Sequence, residues 1–256
     1  YLLKEPLAFW ILLLSAWIFY AAVWKKPASL RIARLWQSLL DWIKTYFTEF
    51  AMLFWIAVYW YTSISANLNI GVRHVLPTFP FIYLLASRII GTEIRERMGP
   101  PPRRIWHGAG VIALTAVLMA WLVARTGASY PHFLAYYNEI IGPDQGHTIA
   151  VDSNLDWGQD LLRLGDYMDE HGIKKISLDY FGGGSPRVTL GNRFEPWWSA
   201  RGPARGWFAV SATIRQGAFG KQGPGFYRTP EDSYLWLLPY QPVAVIGHSI
   251  FVYQLP

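Results

Sequence analysis

Two short stretches of this chain hold side chains that could do chemistry. VDSNLDWGQD, residues 151–160, gathers Asp152, Asn154, Asp156, Gln159 and Asp160 within nine residues. Asp152, Asn154 and Asp156 are spaced like the opening of an EF-hand calcium loop. Trp157 stands where that loop needs glycine, and Arg163 where it needs a bidentate glutamate, so calcium is not expected. Helix capping accounts for part of the cluster, with Ser153 or Asn154 as cap and early carboxylates favoured at the positive end of the dipole. Asp156 and Asp160, one helical turn apart, repel unless they have partners, and that leftover cost marks a binding surface. The second stretch, NLNIGVRHVLPTFPF at 67–81, places Arg73 and His74 between apolar segments. A guanidinium fork suits the oxygens of a lipid phosphate, and an imidazole beside it adds a hydrogen bond or titrates. The plainer alternative is an arginine that snorkels to headgroups, with an interfacial histidine next to it.

Other chemistries lack support. FGGGSP follows a strand-like run, but no helix start follows it, so it reads as a flexible loop rather than a phosphate cradle. GHSIF lacks the second glycine of a nucleophile elbow. The chain has no cysteine, and its six histidines are scattered, so metal binding has no spacing support and thiol chemistry is excluded. No catalytic residue is assigned, no cofactor is expected, and a need for a divalent metal stays open.

The elements that must position these residues differ along the 256 residues. Residues 6–24 and 50–66 carry no charge, 105–124 has His107 as its one strongly polar group, and 75–91 is apolar until Arg88. Each approaches the roughly 17–25 residues a bilayer requires. The expected fold is therefore a membrane α-helical bundle of about four transmembrane helices over 1–124, followed by a small extracytoplasmic α/β domain over 125–256. An amphipathic pattern at 30–47 predicts a helix lying in the membrane interface, or packed on the bundle. Lys25–Glu49 and Arg88–Arg104 each carry five basic against two acidic residues, which places both connectors in the cytoplasm. Residues 125–256 hold 11 basic and 12 acidic side chains, so the net charge of +6 belongs to the first part and reports topology, not nucleic-acid binding.

Within 125–256, YPHFLAYYNEIIG predicts a short helix closed by Gly142 and Pro143, and DSNLDWGQDLLRLGDYMDEHG a stronger one stopped by Gly172. KKISLDYF and GWFAVSATI predict strands. PVAVIGHSIFVYQL predicts one strand or a pair with Gly247 at the bend. Trp197, Trp198 and Trp207 could stack on sugars, but such residues are more often core or interface.

Taken together, NLNIGVRHVLPTFPF, YPHFLAYYNEIIG, VDSNLDWGQDLLRL, LDYFGG and IGHSIFVY resemble bacterial GT-C class membrane glycosyltransferases related to the family 39 protein mannosyltransferases. The resemblance runs from about residue 50 to the end. It implies transfer of a sugar from a polyprenyl-phosphate carrier, with inversion, to a protein, lipid or polysaccharide acceptor outside the cytoplasm. It also implies a multi-pass protein of the bacterial inner membrane, whose catalytic carboxylate sits in a first external loop. This chain starts too late to hold that loop, so the expectation is a C-terminal part lacking the base. Arg73 and His74 would meet the carrier phosphate; Asp152, Asn154, Asp156, Gln159 and Asp160 would line the cleft or lock the domain. The competing expectation is a membrane-anchored, non-enzymatic module that binds glycan or protein.

Overall fold

The computed structural model describes residues 2–23, 32–66, 71–97, 105–220 and 233–256. Asn67–Ile70, residues 24–31 at the start of the basic connector, the proline turn around 98–104 and the glycine-rich segment 221–232 lie outside the described residues. The chain divides into two compact units, Tyr1–Ala128 and Ser129–Pro256.

The first unit is helical: α1 Leu7–Val23, α2 Ile32–Thr45, α3 Phe47–Ser65, α4 Phe79–Arg97 and α5 Ile105–Ala128, with 3-10 turns at Val72–His74 and Leu76–Thr78. Ala8, Leu12 and Ala16 of α1 pack with Ile90 of α4 and Leu118 of α5 in a small buried cluster. Small residues on α1 let the helices approach closely. Trp60 on α3 donates its indole N–H to Thr78 Oγ1 at 3.1 Å, pinning α3 to the turn ahead of α4. Glu49 of α3 pairs with Arg88 of α4. Much of the outer surface is apolar, with Trp17, Ile18, Phe54, Ile64, Val117 and Val123 exposed.

The expected bundle of about four membrane-spanning helices is overturned. Among the described residues one helix, Gly108–Ala128, is long and apolar enough to cross a membrane. The apolar part of α1, Leu7–Ala21, is too short. In α3 the run Tyr59, Trp60, Tyr61, Thr62 and Ser63 lowers the hydropathy of a helix whose one charge is Glu49 in its first turn, and α4 carries Arg88, Glu93, Arg95, Glu96 and Arg97. Absence of charge is a looser criterion than transfer into hydrocarbon, and aromatic and hydroxyl side chains separate the two.

The second unit is a five-stranded mixed sheet in the order β2-β1-β3-β5-β4. Its strands are β1 Ile176–Asp179, β2 Phe194–Pro196, β3 Gly206–Ser211, β4 Ala244–Ile246 and β5 Ile250–Leu255; its helices are α6 Leu161–Glu170, α7 Pro186–Leu190 and α8 Ala212–Phe219. β2 and β3 both run parallel to β1, on opposite sides of it, while β5 is antiparallel to β3 and β4. Period-two alternation sends Ile176, Leu178, Ala209, Ile250 and Val252 to one face, where Leu161, Leu164 and Met168 of α6 and Leu190 of α7 cover them. The other face carries Phe208, Phe251 and Tyr253. There Phe208 packs on Tyr234 and Trp236 at ring separations of 5.6 and 5.4 Å.

The strands KKISLDYF and GWFAVSATI predict form β1 and β3, although the second run turns into α8 at Ala212. PVAVIGHSIFVYQL forms the β4–β5 hairpin, with positive φ at both Gly247 and His248, as a tight two-residue turn requires. Two expected helices differ. YPHFLAYYNEIIG is a chain of turns with no helix, and the helix expected from Asp152 begins only at Leu161. A five-residue helix, α7, does follow FGGGSP, contrary to expectation. Leu164 is fully buried between α6 and the sheet. Leu164→Ala should destabilise this unit by about 3 kcal/mol in urea unfolding followed by tryptophan fluorescence.

Candidate functional site: a carboxylate knot at the edge of the sheet

The carboxyl ends of β1 and β3 lie side by side, and β5 begins opposite them, with Ile250 paired to Ser211. From β1 the chain goes out to β2 on one side and returns to β3 on the other, a topological switch point where α/β sheets form crevices. The VDSNLDWGQD segment crosses this edge before α6 starts.

Asp160 is its centre. The side chain is fully buried. It pairs with Arg163, accepts the Ser249 hydroxyl at 2.7 Å and accepts Gln159 Nε2 at 3.2 Å. Although Asp160 occupies the N-cap position of α6, its carboxylate does not cap the helix. It faces the β4–β5 turn instead, so close to Gly247 that a Cβ on that glycine would overlap the carboxylate. Gly247 is required there twice over, by this approach and by its φ of 57°. His132, from the YPHF segment, places Nδ1 4.0 Å from Asp160 Oδ1, and among the described residues that buried nitrogen has no hydrogen-bond partner. The His132 ring meets His248 edge-on at 5.2 Å, and His248 Nδ1 in turn sits 3.0 Å from Asp144. Burial and the Arg163 charge push the His132 pKa down, against the pull of Asp160.

Asp156 is also fully buried. Its Oδ1 accepts the Gly158 backbone N–H at 2.9 Å, while its Oδ2 has no hydrogen-bond partner among the described residues. Burial pushes its pKa up to about 6. The Gly158 N–H opposes the rise, Asp160 adds to it, and the Ser211 and Ser249 hydroxyls favour the charged form without reaching Oδ2 in bonding geometry.

The loop expected to be flexible helps to hold this segment. Gly183 N–H donates to Trp157 O at 3.2 Å, and Tyr180 hydroxyl donates to Gly158 O at 2.9 Å. Gly158, with φ 82°, leaves no room for a side chain between Tyr180 and Gly182. Phe181 N–H donates to Ser211 Oγ at 2.9 Å, closing the edge of β1 onto β3. Trp157 remains 45% exposed and meets Phe181 at 6.4 Å, an aromatic pair at the rim.

The predicted site residues thus separate. Asp156, Gln159 and Asp160 come together in the knot. Gln159 also bridges its own loop, accepting Trp157 N–H and donating to Leu155 O. Asp152 adopts φ 55°, and its N–H donates to Thr213 on α8; Asn154 lies half-buried in the 3-10 turn Asp152–Asn154. Neither Ser153 nor Asn154 caps a helix. Arg73, exposed, and His74, half-buried and edge-on to Tyr59 at 6.4 Å, belong to the first unit. Trp197 and Trp198 carry the Arg201 guanidinium at 4.3 and 5.1 Å, and Trp207 packs against the α6 face of the sheet. Sequence spacing missed His132, Arg163, Gly247, His248 and Ser249; the one available signal was the GHS triplet at a predicted bend. Among the described residues no group of three or more His, Asp or Glu is arranged to hold a metal ion.

The arrangement can store a proton on Asp156 and hold a polar edge rigid, with Trp157 offering a flat apolar face beside it. Folded Asp156 protonates near pH 6, whereas in the unfolded chain it does so near 3.8. Between those values the folded state binds more protons, so the stability Asp156 contributes is full below the lower value and is lost as pH rises through the upper one, by up to about 3 kcal/mol. Asp156→Asn keeps the Gly158 bond and stays neutral. It should raise stability by about 1–3 kcal/mol at pH 8, with the gain vanishing below pH 4, in urea titrations across that range. Equal stability at pH 8 would contradict the burial of an ionised carboxylate here. No family model, curated protein or solved structure matches the chain.

Proposed function

We propose that the chain belongs to a membrane glycosyltransferase that moves a sugar from a polyprenyl-phosphate carrier to an acceptor outside the cytoplasm. In this reading the sheet unit shapes the sugar or acceptor side of the site, and the base lies elsewhere in the protein. The observation that carries it is the gathering of YPHF, DSNLDWGQD, LDYFGG and GHS, far apart in sequence, at one switch-point edge. Such an edge is where α/β sheets take ligands. Asp156 and Asp160 are both shielded from solvent, so they position the edge instead of touching substrate. Trp157, exposed beside them, has the flat face that stacks on a pyranose ring. In the first unit, Arg73 supplies the cation for the carrier phosphate, with His74 next to it. The apolar exterior of the helices and the span Gly108–Ala128 suit attachment to a bilayer.

The complete shielding of both knot carboxylates also favours a second reading, a membrane-anchored module that binds glycan or protein without chemistry. One comparison separates the two. In membranes containing the protein expressed from its whole reading frame, Arg73→Ala should cut sugar transfer from a polyprenyl-phosphate donor at least tenfold and weaken donor binding. Trp157→Ala should raise KM for donor or acceptor several-fold with little change in kcat. Transfer and donor binding that both stay at wild-type level in a folded Arg73→Ala protein would remove the transferase reading. Glycan binding without any transfer by the wild type would favour the module.

A further inference from the structure

Arg215 has no place in the carboxylate knot and none in the proposed transfer reaction. It sits on α8, over the aromatic face of the sheet. Its guanidinium lies over two rings, 4.0 Å from the centroid of Phe219 and 4.3 Å from that of Phe251. Its Nε–H donates to Tyr253 hydroxyl at 2.7 Å. Among the described residues it has no carboxylate partner, and its two terminal nitrogens make no hydrogen bond. Asp144, the acid whose charge reaches the neighbouring His147, is engaged by His248 Nδ1 at 3.0 Å. His147 packs edge-on against the far side of the same arrangement, 4.9 Å from Phe251, and Gln216 holds its backbone carbonyl at 2.8 Å.

Holding the guanidinium over two rings and fixing Nε immobilises a side chain that otherwise keeps much rotamer freedom. The two-pronged end is then set in place before any ligand arrives, and among the described residues no carboxylate pairs with it. A half-buried arginine held only to pack α8 would gain from an acidic neighbour; among the described residues this one has none. A rigid, unpaired fork matches the paired oxygens of a tetrahedral anion.

We propose that Arg215, oriented by Phe219, Phe251 and Tyr253, is a binding point for a phosphate group. The ligand class is a phosphate monoester or inorganic phosphate, carried either by a lipid headgroup or by a soluble molecule. The site stands on its own geometry and does not depend on the transfer reading, so its failure would leave that reading in place.

The test uses the whole chain in detergent at constant ionic strength, titrated with inorganic phosphate, and the chain in vesicles of phosphatidylcholine with or without phosphatidate. Binding is followed by calorimetry and by the NMR signal of the Arg215 Nε–H group. Wild type should bind phosphate saturably and shift that signal. Arg215→Met, which keeps the apolar stack, should weaken binding at least tenfold. Arg215→Lys, which keeps the charge and loses the fork, should weaken it several-fold, and Tyr253→Phe two- to threefold. Response to phosphate in solution but not to phosphatidate identifies a soluble source, and the reverse a headgroup; either supports the site. The proposal is overturned if the Arg215 signal moves with neither probe, or if Arg215→Met binds as wild type does. Should Arg215→Met not fold, the lysine variant and the wild-type signal decide the matter alone.

Discussion

A single buried carboxylate organises the sheet unit. Asp160 gives up water completely, and such a group is tolerated only when donors replace the solvent on every side. Here they come from three places: Arg163 one turn into α6, Ser249 at the start of β5 and Gln159 in the preceding loop. Gln159 and Arg163 are near neighbours in the chain, but Ser249 lies 89 residues away, so satisfying one charge fixes how the start of α6 and the loop before it meet the β4–β5 turn. Gly247 is the steric side of the same bargain, since only a residue without Cβ lets the turn close over the carboxylate.

The consequence is a polar edge built at a cost. Asp156 is ionised at neutral pH only against burial, with one oxygen lacking a partner among the described residues. His132 is held beside Asp160 at a distance too long for a hydrogen bond. A sheet edge optimised for stability alone would not leave two polar atoms in this state. Residues whose ionisation opposes folding mark sites where function and stability compete. The exposed Trp157 and the loop that follows β1 complete that edge, and Arg215 marks a separate surface on the opposite face of the sheet from α6.

Much of the sheet was legible in the sequence, because period-two alternation is a local property: β1, β3 and the hairpin at Gly247 can all be read from it. The stretch at 151–160 was legible as a site but not as a shape. Its spacing suggests helix, yet its Asp and Gln side chains bond nearby backbone N–H and C=O groups and so compete with helical hydrogen bonds, delaying α6 to Leu161. Positive φ at Asp152 and Gly158 breaks the helix for the same reason. His132, His248, Ser249 and Arg215 carry no local signal, since their roles exist only once distant strands align. The four-span expectation counted tryptophan and tyrosine as hydrocarbon. Their ring edges and polar atoms, with the charges on α4, leave one helix among the described residues that meets the requirement.

The most direct test of the Asp160 account is native-state hydrogen exchange on Asp160→Asn. If one carboxylate ties these segments together, protection should fall at least tenfold in concert at the amides of Gly158, Leu164, Gly183 and Ser249, while the paired amides of β3 and β5 keep most of theirs. Loss confined to residues 158–164, with Gly183 and Ser249 as slow as in the wild type, would show that the edge is held by independent local contacts.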